Sequence, residues 1–81
     1  MEANKIIITG AATRMGAAIA KKLSGPGVEM VIHYNRSKSE AEKLQKELSK
    51  NKTKVYLVKG DLAKEQDLKK IIKFSKLKLK Y

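Results

Sequence analysis

The chain has no cysteine, one histidine, two arginines and only eight acidic residues in 81. Without cysteine, neither a disulfide nor a thiolate metal site can reinforce a small core. The single histidine, His33, excludes a His-cluster metal centre and any chemistry that pairs two histidines. No apolar run approaches the ~20 residues that cross a bilayer. The stretch KIIITGAA (5–12) has the length of a signal-peptide core, but glycine interrupts it and Arg14 follows closely. A soluble cytoplasmic protein is expected. A domain this short buries roughly 60% of the surface its unfolded chain exposes, so a single thin core is expected.

What is abundant is lysine, with 17 residues and a formal net charge of +11. The charge is uneven. Residues 1–35 carry four basic and two acidic groups, whereas residues 36–81 carry fifteen and six. Such asymmetry admits a nucleic-acid partner. Against it, modules that read or stack on bases show arginine and exposed aromatics. The one phenylalanine and three tyrosines here cluster with neither arginine. Solvated lysine-rich helix faces explain the charge more simply.

Along the chain, KIIIT (5–9) is a short β-branched run of the kind found in strands buried on both faces. From Arg14 to Leu23 the apolar residues Met15, Ile19 and Leu23 recur every fourth position, one stripe of a helix. SGPG (24–27) ends that helix, since glycine suits its C-terminus and proline cannot continue it. VEMVIHY (28–34) is a second strand. Ser37 or Ser39 can cap a helix beginning near Glu40, with Ala41, Leu44 and Leu48 inward. KVYLV (54–58) is a third strand, and a helix from about Lys64 turns Leu68, Ile71 and Ile72 inward. Residues 73–81 carry four lysines and no acid, and either extend this helix or fray. The order β-α-β-α-β-α implies a parallel sheet with helices on its faces, a three-layer α/β fold without a domain boundary.

The segment between the first strand and helix, TGAATRMG (9–16), raises the question of phosphate binding. A phosphate needs backbone N–H groups aimed at it, and a helix start offers unpaired ones at a positive dipole end. Gly10 at the turn and Gly16 in the first helical turns both suit close approach of an anion. The usual G-x-G-x-x-G is absent, and two glycines six residues apart are weak evidence alone.

TGAATRMG nonetheless resembles the cofactor loop T-G-x-x-x-G-x-G of the short-chain dehydrogenase/reductase family. Arg14 replaces the middle glycine, as in the pteridine-reductase-like branch, and Met15 stands where the family prefers Ile or Leu. VIHYNRSKSEAE (31–42) is similar to the second strand end of that branch, and GDL (60–62) to the family's Asp-Leu after strand three. The resemblance covers residues 4–72. It implies the N-terminal half of an NADP-binding Rossmann-type domain spanning residues 1–81, with 73–81 as a tail outside the family pattern. It implies cofactor contacts at Gly10, Arg14, Met15, Gly16, Arg36, Ser37, Asp61 and Leu62, the last two holding the adenine. Asn35 stands where close relatives carry histidine, so that contact does not transfer.

The chemistry of cofactor choice agrees with NADP(H). NAD-preferring sites place an acid near the end of strand two for the ribose 2′-OH. Here no acid follows until Glu40, and the chain's two arginines stand at 14 and 36. A guanidinium holds phosphate through a two-pronged fork, and Ser37 adds a hydroxyl.

The resemblance also implies a catalytic tyrosine and, four residues on, a lysine, on a helix beyond residue 81. Tyr34 and Lys38 have that spacing but sit at the adenosine end, so no catalytic residue is assigned. His33, at a strand end without a nucleophile nearby, is expected to be packed or solvated. The expectation is a truncated, NADPH-dependent reductase half-domain without turnover. A self-associating interaction module and a basic nucleic-acid binder remain the alternatives. The outer edge of strand one, apolar and unpaired in such a half, implies a homodimer with Ile6 and Ile8 near its interface.

Overall fold

In the computed structural model, which describes residues 5–11 and 13–79, three strands and three helices alternate. They are β1 (Lys5–Ile8), α1 (Arg14–Leu23), β2 (Glu29–Tyr34), α2 (Lys38–Lys50), β3 (Lys54–Lys59) and α3 (Glu65–Leu79). The strands form one parallel sheet in the order β1-β2-β3, with Ile8 opposite Ile32 and His33 opposite Val58. A parallel pair needs a crossover between its strands, and a helix supplies each one.

Strand alternation assigns two cores. Met30 and Ile32 of β2 turn to the face covered by α1 and α2, where Ile8, Ala20, Leu44 and Leu48 are buried. Val31 turns to the opposite face, with Val58, Ile71 and Leu79 beneath α3. The sheet is therefore the middle of three layers. The loops at its lower end are tied together: the Gly25 N–H donates to Thr53 Oγ1 (2.8 Å), and Asn51 Nδ2 to Ser24 Oγ (2.9 Å). Every buried side-chain nitrogen or oxygen among the described residues has a partner, as a thin core requires.

Several local expectations are corrected. Helix α2 begins at Lys38, two residues early; Ser37 stands at its N-cap without a capping side-chain bond, and Ser39 lies inside the helix. In α1 the stripe of Met15, Ile19 and Leu23 is exposed, and the face on the sheet is Gly16 and Ala20. The small residues win because Gly16 packs on the Gly10 carbonyl and Ala11 of the entry turn, while Ala20 joins the core with Ile8, Met30 and Ile32. Leu68 and Ile72 of α3 are likewise exposed, since the buried stripe is Ile71, Ser75 and Leu79. Residues 73–79 continue α3 rather than fraying, and residues 80–81 of that segment lie outside the described residues.

Leu79 is fully buried and Leu77 is 70% exposed, two residues apart on one helix. Leu79→Ala should lower stability by about 2–5 kcal/mol, as for other buried leucines. Leu77→Ala should change it by no more than about 0.5 kcal/mol. Urea unfolding of the two variants measures the difference directly.

Candidate functional site

The carboxyl ends of β1, β2 and β3 lie together, the side of an open α/β sheet where ligands bind. Three segments meet there: the turn after β1, the step from β2 into α2, and the turn after β3. Gly10 makes the first turn with φ +64, a left-handed conformation that costs a residue with a Cβ roughly 1–2 kcal/mol. Its N–H donates to His33 Nδ1 (3.2 Å), and the Ala11 N–H donates to the His33 carbonyl (3.2 Å). The chain then reverses into α1.

Thr13 organises that reversal. Its hydroxyl donates to the Gly10 carbonyl (2.6 Å) and accepts from the Gly16 N–H (3.1 Å), while its own N–H also donates to the Gly10 carbonyl (3.0 Å). These bonds account for two of the four amides that open a helix. The amides of Arg14 and Met15 remain as first-turn donors directed off the end of α1. No acidic side chain stands in that first turn, whereas α2 has Glu40 and α3 has Glu65 and Asp67. The positive end of the α1 dipole therefore has no acidic side chain of its own helix beside it.

Gly16 does different work from the one its position suggests. A Cβ there would overlap the Gly10 carbonyl oxygen and come within 2.7 Å of the Ala11 Cα. Gly16 therefore lets α1 pack on its own entry turn, buried beneath it. Gly10 is less confined: among the described residues the nearest atom to an added Cβ is Thr13 Cγ2 at 3.9 Å, an ordinary contact distance.

Two clefts open along these strand ends. The smaller, of 220 Å³, runs from Gly10 and Thr13 past Tyr34 to Arg36 and Ser37. The larger, of 370 Å³, runs from Arg36 to Lys59, Asp61, Lys64 and Lys70. Asn35 and Arg36 line both and form the ridge between them. Of the sequence-derived candidates, Gly10, Arg36 and Ser37 thus share one cleft, and Arg36 and Asp61 the other. Arg14 and Met15 are exposed at the helix start beside them, Gly16 is buried, and Leu62 is exposed and lines neither cleft. Ser37 makes no capping bond, so its hydroxyl is not committed to α2.

Asp61 is held from both sides. Its N–H donates to Asp67 Oδ2 (2.8 Å), and its own Oδ1 accepts from the Ala63 N–H (2.9 Å). Both carboxylates in the larger cleft are therefore already engaged by main chain, among four cationic side chains. A still larger cleft of 420 Å³, among Lys5, Glu29, Lys54 and Lys78, opens at the amino ends of the strands, opposite these elements.

Sequence reasoning missed two residues. Thr13 carries a readable signal, a threonine just ahead of a helical stripe. His33 is buried, and beyond Gly10 its Nε2 pairs with the Gly60 carbonyl at 2.7 Å. Accepting at Nδ1 and donating at Nε2 requires the neutral ring with its hydrogen on Nε2. The available signal was a lone polar ring in an otherwise apolar strand, which once buried must find partners.

The family model for short chain dehydrogenases matches residues 4–81. The chain belongs to the short-chain dehydrogenase family. It is 31% identical over 70 residues to the short-chain dehydrogenase/reductase homolog YusS of Bacillus subtilis, covering 85% of this chain and 64% of that protein. It is 32% identical over 66 residues to versicolorin reductase 1 of Dothistroma septosporum, covering 82% and 25%. Among solved structures, a short-chain dehydrogenase from Oenococcus oeni PSU-1 superposes with a TM-score of 0.85 at 31% identity, over 95% of this chain and 35% of that one. A blue fluorescent protein from a metagenomic library, solved with NADPH, gives 0.86 at 22% identity over 96% and 32%, a likeness of fold. The 81 residues thus correspond to between a quarter and two thirds of these relatives' lengths. The fold is the β-α-β-α-β-α portion of the Rossmann-type sheet these dehydrogenases share.

The two loop glycines should respond differently to alanine. Gly10→Ala should cost about 1–2 kcal/mol through its backbone conformation. Gly16→Ala should cost more, about 3 kcal/mol, because main-chain atoms cannot yield as side chains do. Chemical denaturation of the two variants compares them, and equal costs would contradict the packing role of Gly16.

Proposed function

We propose that these residues form the NADP(H)-binding part of a short-chain reductase of the pteridine-reductase-like branch. The observation that carries the reading is the position of Arg36, on the ridge between the two clefts, with Ser37 beside it and no carboxylate in the smaller cleft. In this reading the pyrophosphate lies against Gly10 and the first-turn amides of Arg14 and Met15. The 2′-phosphate of the adenosine ribose meets the guanidinium of Arg36, the hydroxyl of Ser37 and the side chain of Arg14. The adenine extends toward Asp61 and Leu62. Gly16 contributes by keeping α1 tight under the turn.

The fit is supported by the cleft that Gly10 lines and by a helix start without a neutralising acid. When bound, NADPH supplies hydride; the residues here bind and orient its adenosine diphosphate portion. The tyrosine and lysine that the family implies for proton transfer belong to a helix beyond residue 81, so the proposal concerns binding. NADPH should bind roughly ten- to a hundredfold more tightly than NADH, the worth of a charge-assisted bond of about 1.5–3 kcal/mol. Arg36→Ala should erase that preference and leave AMP binding largely intact. Calorimetric titration of both proteins tests this, and equal affinities of the unaltered chain for the two cofactors would overturn the phosphate assignment.

The same reading includes a homodimer through β1. The outer edge of β3 is guarded by Lys54 and Lys59, and Gln45 Nε2 donates to the Val55 carbonyl (3.0 Å). β1 carries a lysine at one end only, Lys5, and its only strand neighbour among the described residues is β2. Such an edge is a template for pairing. Ile8, expected at the interface, is instead in the core, and the apolar side chain exposed on β1 is Ile7. Sedimentation should give a dimer at tens of micromolar that Ile7→Lys disperses, and a monomeric unaltered chain would refute the pairing.

A further inference from the structure

His33 is a buried titratable side chain that the nucleotide reading leaves without a task. It stands near the end of the central strand, buried at the wall of the smaller cleft, and its ring spans the two turns that flank it. Nδ1 accepts from the Gly10 N–H (3.2 Å) and Nε2 donates to the Gly60 carbonyl (2.7 Å). Main chain reinforces the same link. The His33 carbonyl accepts from the Ala11 N–H (3.2 Å), and the neighbouring Tyr34 carbonyl accepts from the Gly60 N–H (3.0 Å).

Each partner is a glycine in a turn that main-chain bonds also tie to β2. Gly10 has a left-handed φ, and the atoms around Gly60 are close enough that a Cβ would lie 2.9 Å from Ile71 Cδ1. Neither has a side chain with which to fix itself. The ring supplies from the sheet what the two turns lack. Main-chain bonds alone leave the Gly10 amide without a partner from β2; only the imidazole reaches it.

We propose that His33 is a positioning residue that holds the glycine turn and the turn before Asp61 at a fixed separation, so that the two ends of the nucleotide groove form together. It rests on the reading that both turns contact one nucleotide, and it adds that a single neutral imidazole joins them alongside the main-chain bonds. The ring touches no ligand in this account. Its effect on binding passes through Gly10.

Side chains that imitate one nitrogen at a time test it. Asparagine places a carboxamide oxygen near the Nδ1 position and keeps an acceptor for Gly10, whereas glutamine places its amide near Nε2 and keeps a donor for Gly60. Leucine keeps neither. In the unaltered 81-residue chain, ring 15N spectra should show hydrogen on Nε2 only, and the Gly10 amide should exchange slowly. His33→Asn should keep both that slow exchange and the affinity for ADP to within about threefold. His33→Gln and His33→Leu should each lose roughly tenfold in ADP affinity, about one hydrogen bond, together with the protection at Gly10. A merely space-filling role would rank the variants by volume and leave the Asn and Gln pair undistinguished.

If His33→Leu does not fold, the Asn and Gln variants carry the comparison. Hydrogen on Nδ1, or equal Gly10 exchange in the Asn and Gln variants, overturns the proposal. Should ADP fail to bind the unaltered chain, the nucleotide reading fails, and the exchange of Gly10 across the variants still decides the role of His33.

Discussion

Strand β2 is paired on both edges and covered on both faces, and the rest of the structure hangs on that arrangement. Met30, Val31 and Ile32 are fully buried, alternating between the core under α1 and α2 and the core under α3. Burying three such side chains contributes roughly 1.5–3 kcal/mol each, a large share for a domain of this size. Because β2 is fixed from four sides, what leaves its upper end is fixed too. Tyr34, Asn35 and Arg36 emerge between the turns of the two flanking strands, and the ring of His33 meets a glycine on each side.

The outer parts are less evenly secured. The described part of α1 buries Gly16 and Ala20 against the sheet and leaves Met15, Ile19 and Leu23 exposed, and α3 leaves Leu68, Ile72 and Leu77 exposed. Such apolar stripes on both layers accompany a β1 edge with no strand beside it among the described residues. They match a portion of a larger sheet, as the shared 35% of the Oenococcus oeni dehydrogenase describes it. The lysines, by contrast, are mostly spread over solvent-facing helix surfaces. Four cationic side chains, Arg36 among them, gather at the larger cleft, where Asp61 and Asp67 are already occupied by main-chain amides.

Much of this was legible in the chain itself. Three β-branched runs alternating with helical stripes dictate a parallel α/β sheet, since short connections leave no other way to pair the strands. The loop, too, was locatable from Gly10 and the two arginines. What could not be read was which helical stripe turns inward. Met15, Ile19 and Leu23 have the right period, yet the helix lies on its small residues because Gly16 packs against the main chain of its entry turn, where a side chain has no room. The roles of the two glycines were equally hidden, because a spacing of six does not say which backbone needs a positive φ and which needs contact.

The sequence by itself determined the order of elements, the parallel pairing and the place of the glycine turn, because these follow from periodicity and from residues a few positions apart. Only the tertiary structure decided that Gly16 is buried, that Arg36 stands between two clefts, and that His33 joins two turns lying 23 and 27 residues away from it. Those facts depend on contacts between segments distant in the chain. Such contacts come into being only when β2 is laid between its neighbours.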